Sequence, residues 1–226
     1  MSMQQETVRK YAPRIFLDEA EPFSLAGIGT TIFTSDGKSP SFPREVVLPK
    51  GAELAIEYAY FWDYDIEHLY DLEHVWIYID ANGRVIGAEA SFHGRYLKAM
   101  LPFVQPVFHD THLNIYCQPG KHAFLPKGEW FQLLPDLISC CNGSAGSGGL
   151  LVNELFAHCL NKDKDTDEAV RRYIKGHFSF EPSLRFAPKL PESSLYMPWE
   201  ELYELIPRRI TTQLAVILEW RCCHVF

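Results

Sequence analysis

At 226 residues and 26.0 kDa, with 47% hydrophobic and 22% charged residues, the chain is large enough to bury one core without disulfide or metal staples and too polar to live inside a membrane. Its formal charge of -8, from 21 Lys and Arg against 29 Asp and Glu, argues against a nucleic-acid surface, which needs clustered cations to displace counterions from phosphate. An aromatic content of 14% leans towards β structure, and one domain spanning 1–226 is the expectation.

The N-terminal stretch Met1 to Lys10 is polar and lacks the apolar core of a signal peptide, and no run of 18 apolar residues occurs anywhere. A cytoplasmic protein without a transmembrane segment is predicted. Reduced thiols agree with that compartment: Cys117, Cys140, Cys141, Cys159, Cys222 and Cys223 include two vicinal pairs and no Cys-x-x-Cys. Five prolines and three glycines break the first 50 residues, from Pro13 to Pro49, which reads as short strands and loops with no helix beyond two turns. From Leu54 the pattern changes. Leu54 to Trp62, Glu73 to Ile79 and Arg84 to Phe92 are β-type runs dense in aromatic and β-branched residues.

Between the last two runs, Asp80-Ala81-Asn82-Gly83-Arg84 has the residues of a hairpin turn with a G1 bulge, with glycine at the left-handed position. Further strands are predicted over His112 to Cys117 and Glu129 to Leu134. The glycine-rich stretch from Asn142 to Gly149 lacks the ending of a phosphate loop and reads as a flexible connection. Helical additions begin after about residue 165. Asp165 or Thr166 caps a helix from about Asp167 to Lys175, with Glu168 completing a capping box and Gly176 ending it. Pro198-Trp199-Glu200-Glu201 opens another helical turn. The last segment, with Ile210, Leu214 and Ile217, is open between helix and strand. The tail Arg221-Cys222-Cys223-His224 reads as a fraying terminus rather than a soft-metal site.

Chemistry concentrates between Asp63 and His122. The twelve residues Asp63-Tyr64-Asp65-Ile66-Glu67-His68-Leu69-Tyr70-Asp71-Leu72-Glu73-His74 carry five carboxylates and two histidines. On a strand Asp71 and Glu73 share a face and His74 points to the other. Two carboxylates side by side repel unless a proton or a cation lies between them, so a divalent cation is predicted: Ca, Mg, Mn or Zn. The bulged turn pairs Asp80 with Arg84, which sets Glu73 opposite Ser91 and Asp71 opposite His93. A two-residue Asn82-Gly83 turn would shift the register by one and turn His93 away. Asp80 and Gly83 sit where the bulged turn wants them, which favours the first register.

The ordered segments Asp71-Leu72-Glu73-His74, Ser91-Phe92-His93-Gly94 and Tyr116-Cys117-Gln118-Pro119-Gly120-Lys121-His122-Ala123 resemble the necrosis-inducing, ethylene-inducing-peptide-like proteins and their vacuolar protein sorting-associated relatives. The resemblance runs from about Tyr58 to Phe124. It implies a mainly β, antiparallel, jelly-roll-like β-sandwich with a few peripheral helices. It also implies a cation held by His68, Asp71, Glu73 and an upstream carboxylate, Asp63 or Asp65. The family's Arg and Trp are replaced here by Leu69 and Leu72, which puts that family's target recognition in doubt.

Three readings follow. A metal-dependent hydrolase of a small sugar or phosphate ester would use His93 or His122 as general base or acid towards a metal-bound water. Alternatively the cation bridges to a glycan or lipid headgroup without catalysis, or serves only to pin the strand ends.

Overall fold

The computed structural model describes residues 2–223. In chain order these form α1 (Met3–Tyr11), β1 (Arg14–Asp18), β2 (Leu25–Phe33), β3 (Gly37–Lys38), β4 (Glu45–Val46), β5 (Ala52–Tyr64), β6 (His68–Asp80), β7 (Val85–Phe92), β8 (Arg95–Lys98), β9 (Phe108–His109), β10 (His112–Cys117), β11 (Phe124–Leu125), β12 (Gly149–Leu150), α2 (Lys164–Phe178), β13 (Phe186–Lys189), β14 (Tyr196–Pro198) and α3 (Trp199–Cys223). The larger sheet runs β14-β2-β5-β6-β7-β8, with β12 added beside β6, and the smaller runs β11-β10-β1-β13, with β9 beside β10.

Strands dominate, as composition suggested, but the sheets are mixed rather than antiparallel. Three pairings are parallel: β1 with β10, β12 with β6 and β14 with β2. Each joins segments far apart in sequence, because parallel neighbours need long crossovers. A wholly antiparallel sandwich or jelly roll is therefore not what forms.

The longest strands, β5 and β6, make a ribbon from Ala52↔Asp80 to Tyr64↔Leu69. Alternation gives that ribbon two unlike faces. Tyr58, Tyr60 and Trp62 share one face with Val75, Glu73 and Asp71. Glu57, Ala59, Phe61 and Asp63 share the other with Trp76, His74 and Leu72. Burial of Ile15, Leu17, Leu113 and Ile115 of the smaller sheet together with Tyr58, Tyr60, Trp62 and Val75 builds the main core. Helix α3 covers β2 with Trp199, Leu202, Ile206 and Ile210 at helical spacing, which resolves the C-terminal segment as helix even though it contains Pro207. Among the described residues no helix is long and apolar enough to cross a membrane.

Several local expectations change. Ser2 and Gln5 form a reciprocal capping box, with Glu6 in the first turn and Arg9 and Lys10 in the last, so the segment before Pro13 is a nine-residue helix, longer than the two turns expected. Glu129 to Leu134 is not a strand but part of a 3-10 turn, Gly128–Leu133, anchored by the buried Phe131. Asp163, not Asp165 or Thr166, caps α2 by accepting from Thr166 N, and the helix passes Gly176 to Phe178. The glycine-rich stretch is no loose connection. Gly146 N donates to Ile66 O, and Gly148 and Gly149 N donate to Glu67 O, so it grips the turn that leads into β6. His224 lies outside the described residues.

The hairpin turn is as expected: Asp80 N donates to Arg84 O, Gly83 N donates to Asp80 O, and Gly83 has φ +74°. The register beyond it is not. Tyr78 pairs with Gly87 but Ile79 with Val85, so a second bulge at Ile86 shifts the ladder by one, and Val75 faces Ala90. Glu73 is thus not opposite Ser91; His74 N instead donates to Ser91 Oγ at 2.5 Å. β7 ends at Phe92, which pairs with Arg95 across a two-residue turn in which His93 and Gly94 have φ +50° and +75°. His93 is therefore in a turn, not opposite Asp71.

Candidate metal centre

Asp65, His68 and Asp71 each offer one ligand atom within 4.8 Å of the others. Two local devices aim them. Asp65 follows β5 in a short turn where its Oδ1 accepts from Glu67 N at 2.6 Å and its N–H donates to His68 O at 2.9 Å. The His68 ring meets the Tyr70 carbonyl through Nδ1 at 2.9 Å. A carbonyl only accepts, so Nδ1 carries the proton and Nε2 presents its lone pair, 3.7 Å from Asp65 Oδ1. An imidazole oriented by a backbone carbonyl, with its other nitrogen bare beside two carboxylates, is the arrangement a divalent cation requires. The donor set therefore fits such an ion, and these three residues are the ones that would hold it.

The three line a cleft of about 250 Å³ together with Glu73, His93, Lys121, Tyr70 and Phe42. Glu73 is outside the three-atom group. It is 6% exposed, accepts from Ser91 Oγ, and burial followed by the Asp71 charge pushes its carboxyl well above the usual range. Lys121 Nζ lies 2.7 Å from Glu67 Oε2 and 3.5 Å from Asp65 Oδ1. Burial acts to lower its pKa, but those carboxylates outweigh burial and raise it, so the ammonium is a fixed internal cation.

Asp63 is not part of the site. It falls on the opposite face of β5, where Arg209 of α3 grips it with Nε on Oδ1 at 2.8 Å and Nη2 on Oδ2 at 2.6 Å, and Gln213 adds a contact. Asp65 escapes this fate because the chain turns after Tyr64.

His122 comes next to the site but from behind. Its loop is brought in by Gly120, whose carbonyl accepts from Ile66 N at 2.8 Å and whose missing side chain would otherwise lie 2.9 Å from Ile66 Cβ. The ring is 0% exposed, stacked on Trp62 at 4.2 Å with the planes 1° apart, and flanked by Phe23. Nδ1 is 3.1 Å from Asp71 Oδ2 and Nε2 is 3.6 Å from Glu21 Oε1. Burial works against its charge, yet Asp71 and Glu21 outweigh it and push the pKa up to about 10. For Asp71, burial raises and the His122 hydrogen bond, with the nearby His122 and Lys121 charges, lowers, leaving its carboxyl below the usual range. An imidazolium walled off by aromatic rings is no general base, so that expectation for His122 is corrected: it holds Asp71 in place. His93 remains exposed at the rim, its Nε2 2.9 Å from Gln118 Oε1.

Sequence reasoning missed Glu21, Gln118 and Lys121. The first has 1% side-chain exposure and, besides facing His122, accepts from Gly120 N at 2.8 Å. Nothing near it in the chain signals this role. Lys121 and Gln118 lie inside the segment Tyr116 to Ala123, where no spacing or motif sets them apart.

No family model matches the chain, and no curated protein does. Among solved structures it is similar to NLPPya in complex with glucosamine, at TM-score 0.37 and 15% identity over 53% of this chain and 64% of that one. It is also similar to Necrosis and Ethylene inducing Protein 2 from the causal agent of cocoa's Witches Broom disease, at TM-score 0.35 and 19% identity over 65% and 83% of the two chains. A third, described as a toxin fold as basis for microbial attack and plant defense, gives TM-score 0.37 and 17% identity over 54% and 68%. The chain thus spans less than two thirds of the first of these.

Proposed function

We propose that the protein is a divalent-cation-dependent binding module for a hydroxyl-rich ligand, a glycan or a polar headgroup, and that it does not turn that ligand over. The observation that carries the reading is the convergence of Asp65, His68 Nε2 and Asp71 at one end of the β5–β6 ribbon. When bound there, the cation supplies open coordination positions for vicinal hydroxyls. The chain's own residues do the rest. His68 is held in one tautomer by Tyr70 O, Asp71 is locked by His122, and Tyr70 and Phe42 offer aromatic walls of the kind that sugar rings pack on.

What favours binding over hydrolysis is the fate of the two candidate bases. His122 is charged and sealed, and His93 stands on a tight turn at the rim, turned to Gln118. A cleft lined by carboxylates also suits a ligand with an ammonium, so amino sugars belong with neutral hexoses as probes.

The test is metal content of the purified protein by mass spectrometry, followed by calorimetric titration of Ca, Mg, Mn and Zn and then of sugars with the bound ion in place. Asp65→Asn and Asp71→Asn are each expected to weaken cation affinity by about a hundredfold or more, since losing a residue that merely orients a ligand already costs about 10- to 100-fold. Sugar association should vanish with chelator. Absence of any cation binding overturns the reading. Release of product from an ester or glycoside panel, abolished by His93→Ala while the ion stays bound, would establish the hydrolase instead.

A further inference from the structure

On the ribbon face opposite the acidic cleft, buried polar groups serve one another: Ser41 Oγ donates to Glu57 Oε1 at 2.6 Å and lies 2.9 Å from His74 Nε2. Groups without partners lie instead at the edge of the larger sheet. β8 is the last strand there, and among the described residues no strand pairs with its outer side. Its four residues, Arg95, Tyr96, Leu97 and Lys98, are all exposed. Ala99 N donates to Ala88 O at 2.8 Å, so the residues of the same parity, Leu97 and Arg95, also turn their backbone groups to β7. Tyr96 and Lys98 turn theirs outward. Each offers an N–H and a C=O at the spacing an incoming strand needs.

The side chains select the occupant. Arg95 and Lys98 bracket the strand, and among the described residues neither side chain has an ion-pair or hydrogen-bond partner. Two unpaired cations on a chain of net charge -8 favour a partner that brings carboxylates. A second copy is disfavoured, because in-register antiparallel pairing of β8 with itself sets Arg95 opposite Lys98 and parallel pairing sets Arg95 beside Arg95. Apolar surface gathers at the same place. Past Lys98 the chain makes a turn, with Val104 N donating to Leu101 O at 3.2 Å, that leaves Phe103 100% exposed. Beside it a cleft of about 300 Å³, walled by Tyr78, Ile86, Lys98, Met100, Leu101 and Pro102, has room for one large apolar side chain.

We propose that the β8 edge docks an extended acidic peptide segment of another protein. The segment adds a strand to the larger sheet through the backbone of Tyr96 and Lys98, sets its carboxylates against Arg95 and Lys98, and places one apolar side chain in the cleft beside Phe103. Asp65, His68 and Asp71 do not line that cleft, so the docking surface goes beyond the cation reading and does not depend on it.

The experiment titrates a fluorescein-labelled peptide, Glu-Val-Glu-Phe-Glu-Val-Glu, into the full chain and reads polarisation together with amide hydrogen exchange. Binding is expected to slow exchange at the Tyr96 and Lys98 amides by about tenfold or more. Lys in place of every Glu in the peptide should weaken binding about tenfold or more. N-methylation of one alternate set of peptide amides, and not of the other, should do the same. Arg95→Gln combined with Lys98→Gln should cost about fivefold at low salt and remove most of the salt dependence. Lys98→Pro, which deletes an outward donor as well as the charge, should weaken binding about fivefold beyond Lys98→Gln, the worth of one hydrogen bond. If Lys98→Pro does not fold, the peptide series on the unaltered chain decides the matter. No peptide binding at millimolar concentration, equal binding of the Glu and Lys peptides, or full binding of both N-methylated sets overturns the proposal. Slow exchange at the two amides without peptide, together with a dimer in sedimentation, assigns the edge to a second copy instead. Binding to phosphatidylcholine vesicles that is lost in Phe103→Ser, with no peptide binding, assigns it to a lipid surface.

Discussion

Two histidines lie fully buried on opposite faces of one β-ribbon, each stacked on a tryptophan, and they carry opposite charge states. His122 rests on Trp62 at 4.2 Å, between Asp71 and Glu21, and is pushed up to about 10. His74 lies along Trp76 at 5.5 Å, bonded to a hydroxyl with Arg44 nearby, and is pushed down to about 3. Burial opposes the charge of both rings. Whether an imidazole ionises in a core is decided by its partners: two carboxylates overcome desolvation, and a serine that is itself donating does not. One face thereby becomes an electrostatic brace behind an acidic cleft, and the other a neutral hydrogen-bonded cluster.

Removing one partner on each face probes that contrast most strongly. Asp71→Ala leaves an imidazolium buried with only Glu21 to balance it and should cost about 3–5 kcal/mol, the range for breaking a buried ion pair. Ser41→Ala strips His74 Nε2 and Glu57 of a neutral hydrogen bond and should cost about 1–3 kcal/mol. Urea denaturation of both variants without added cation compares them. A cost for Ser41→Ala that equals or exceeds that of Asp71→Ala would break the contrast.

The two rings also predict opposite pH slopes. His74 has a folded pKa below its unfolded value near 6.5, so its contribution is complete above pH 6.5 and is lost as pH falls towards 3. Between pH 6.5 and 4.5 the loss is about 2 kcal/mol. For His122 the folded pKa is raised, so its contribution is complete below pH 6.5 and is lost as pH rises towards 10. Unfolding free energies measured across pH 4 to 10 should therefore fall on both sides of neutrality. The acid limb should flatten in His74→Phe and the alkaline limb should not change there.

A smaller effect separates the two candidate aspartates. Asp63→Asn breaks a partly exposed bidentate pair with Arg209 and should cost about 1 kcal/mol while leaving cation affinity unchanged. Asp65→Asn should do the reverse. Cation affinity that falls as far in Asp63→Asn as in Asp65→Asn would return Asp63 to the site.

Much of the acidic cleft was readable from residues close together in the chain. Strand alternation put Asp71 and Glu73 on one face, and the Asp80 to Gly83 turn formed with its left-handed glycine as its chemistry required. The same reasoning went wrong where one inserted residue outweighed it. The second bulge, at Ile86, moved the β6–β7 ladder by one place and left Ser91 beside His74, and no turn former marks that position. Asp63 and Asp65 were indistinguishable by parity because the decisive event is a change of direction after Tyr64.

Composition, period-two alternation and turn chemistry determined that the chain would be β-rich, where its central hairpin would turn, and that carboxylates and histidines would crowd one strand end. These are properties of neighbours within a few residues, and local sterics carry them. Tertiary structure alone decided the parallel pairings, the choice of Asp65 over Asp63, the arrival of Glu21 behind His122 and of Ser41 and Glu57 beside His74. Each of these joins segments separated by long stretches of chain. Their geometry depends on which sheet faces pack together, and the charge of each buried histidine is fixed only when that packing has chosen its partners.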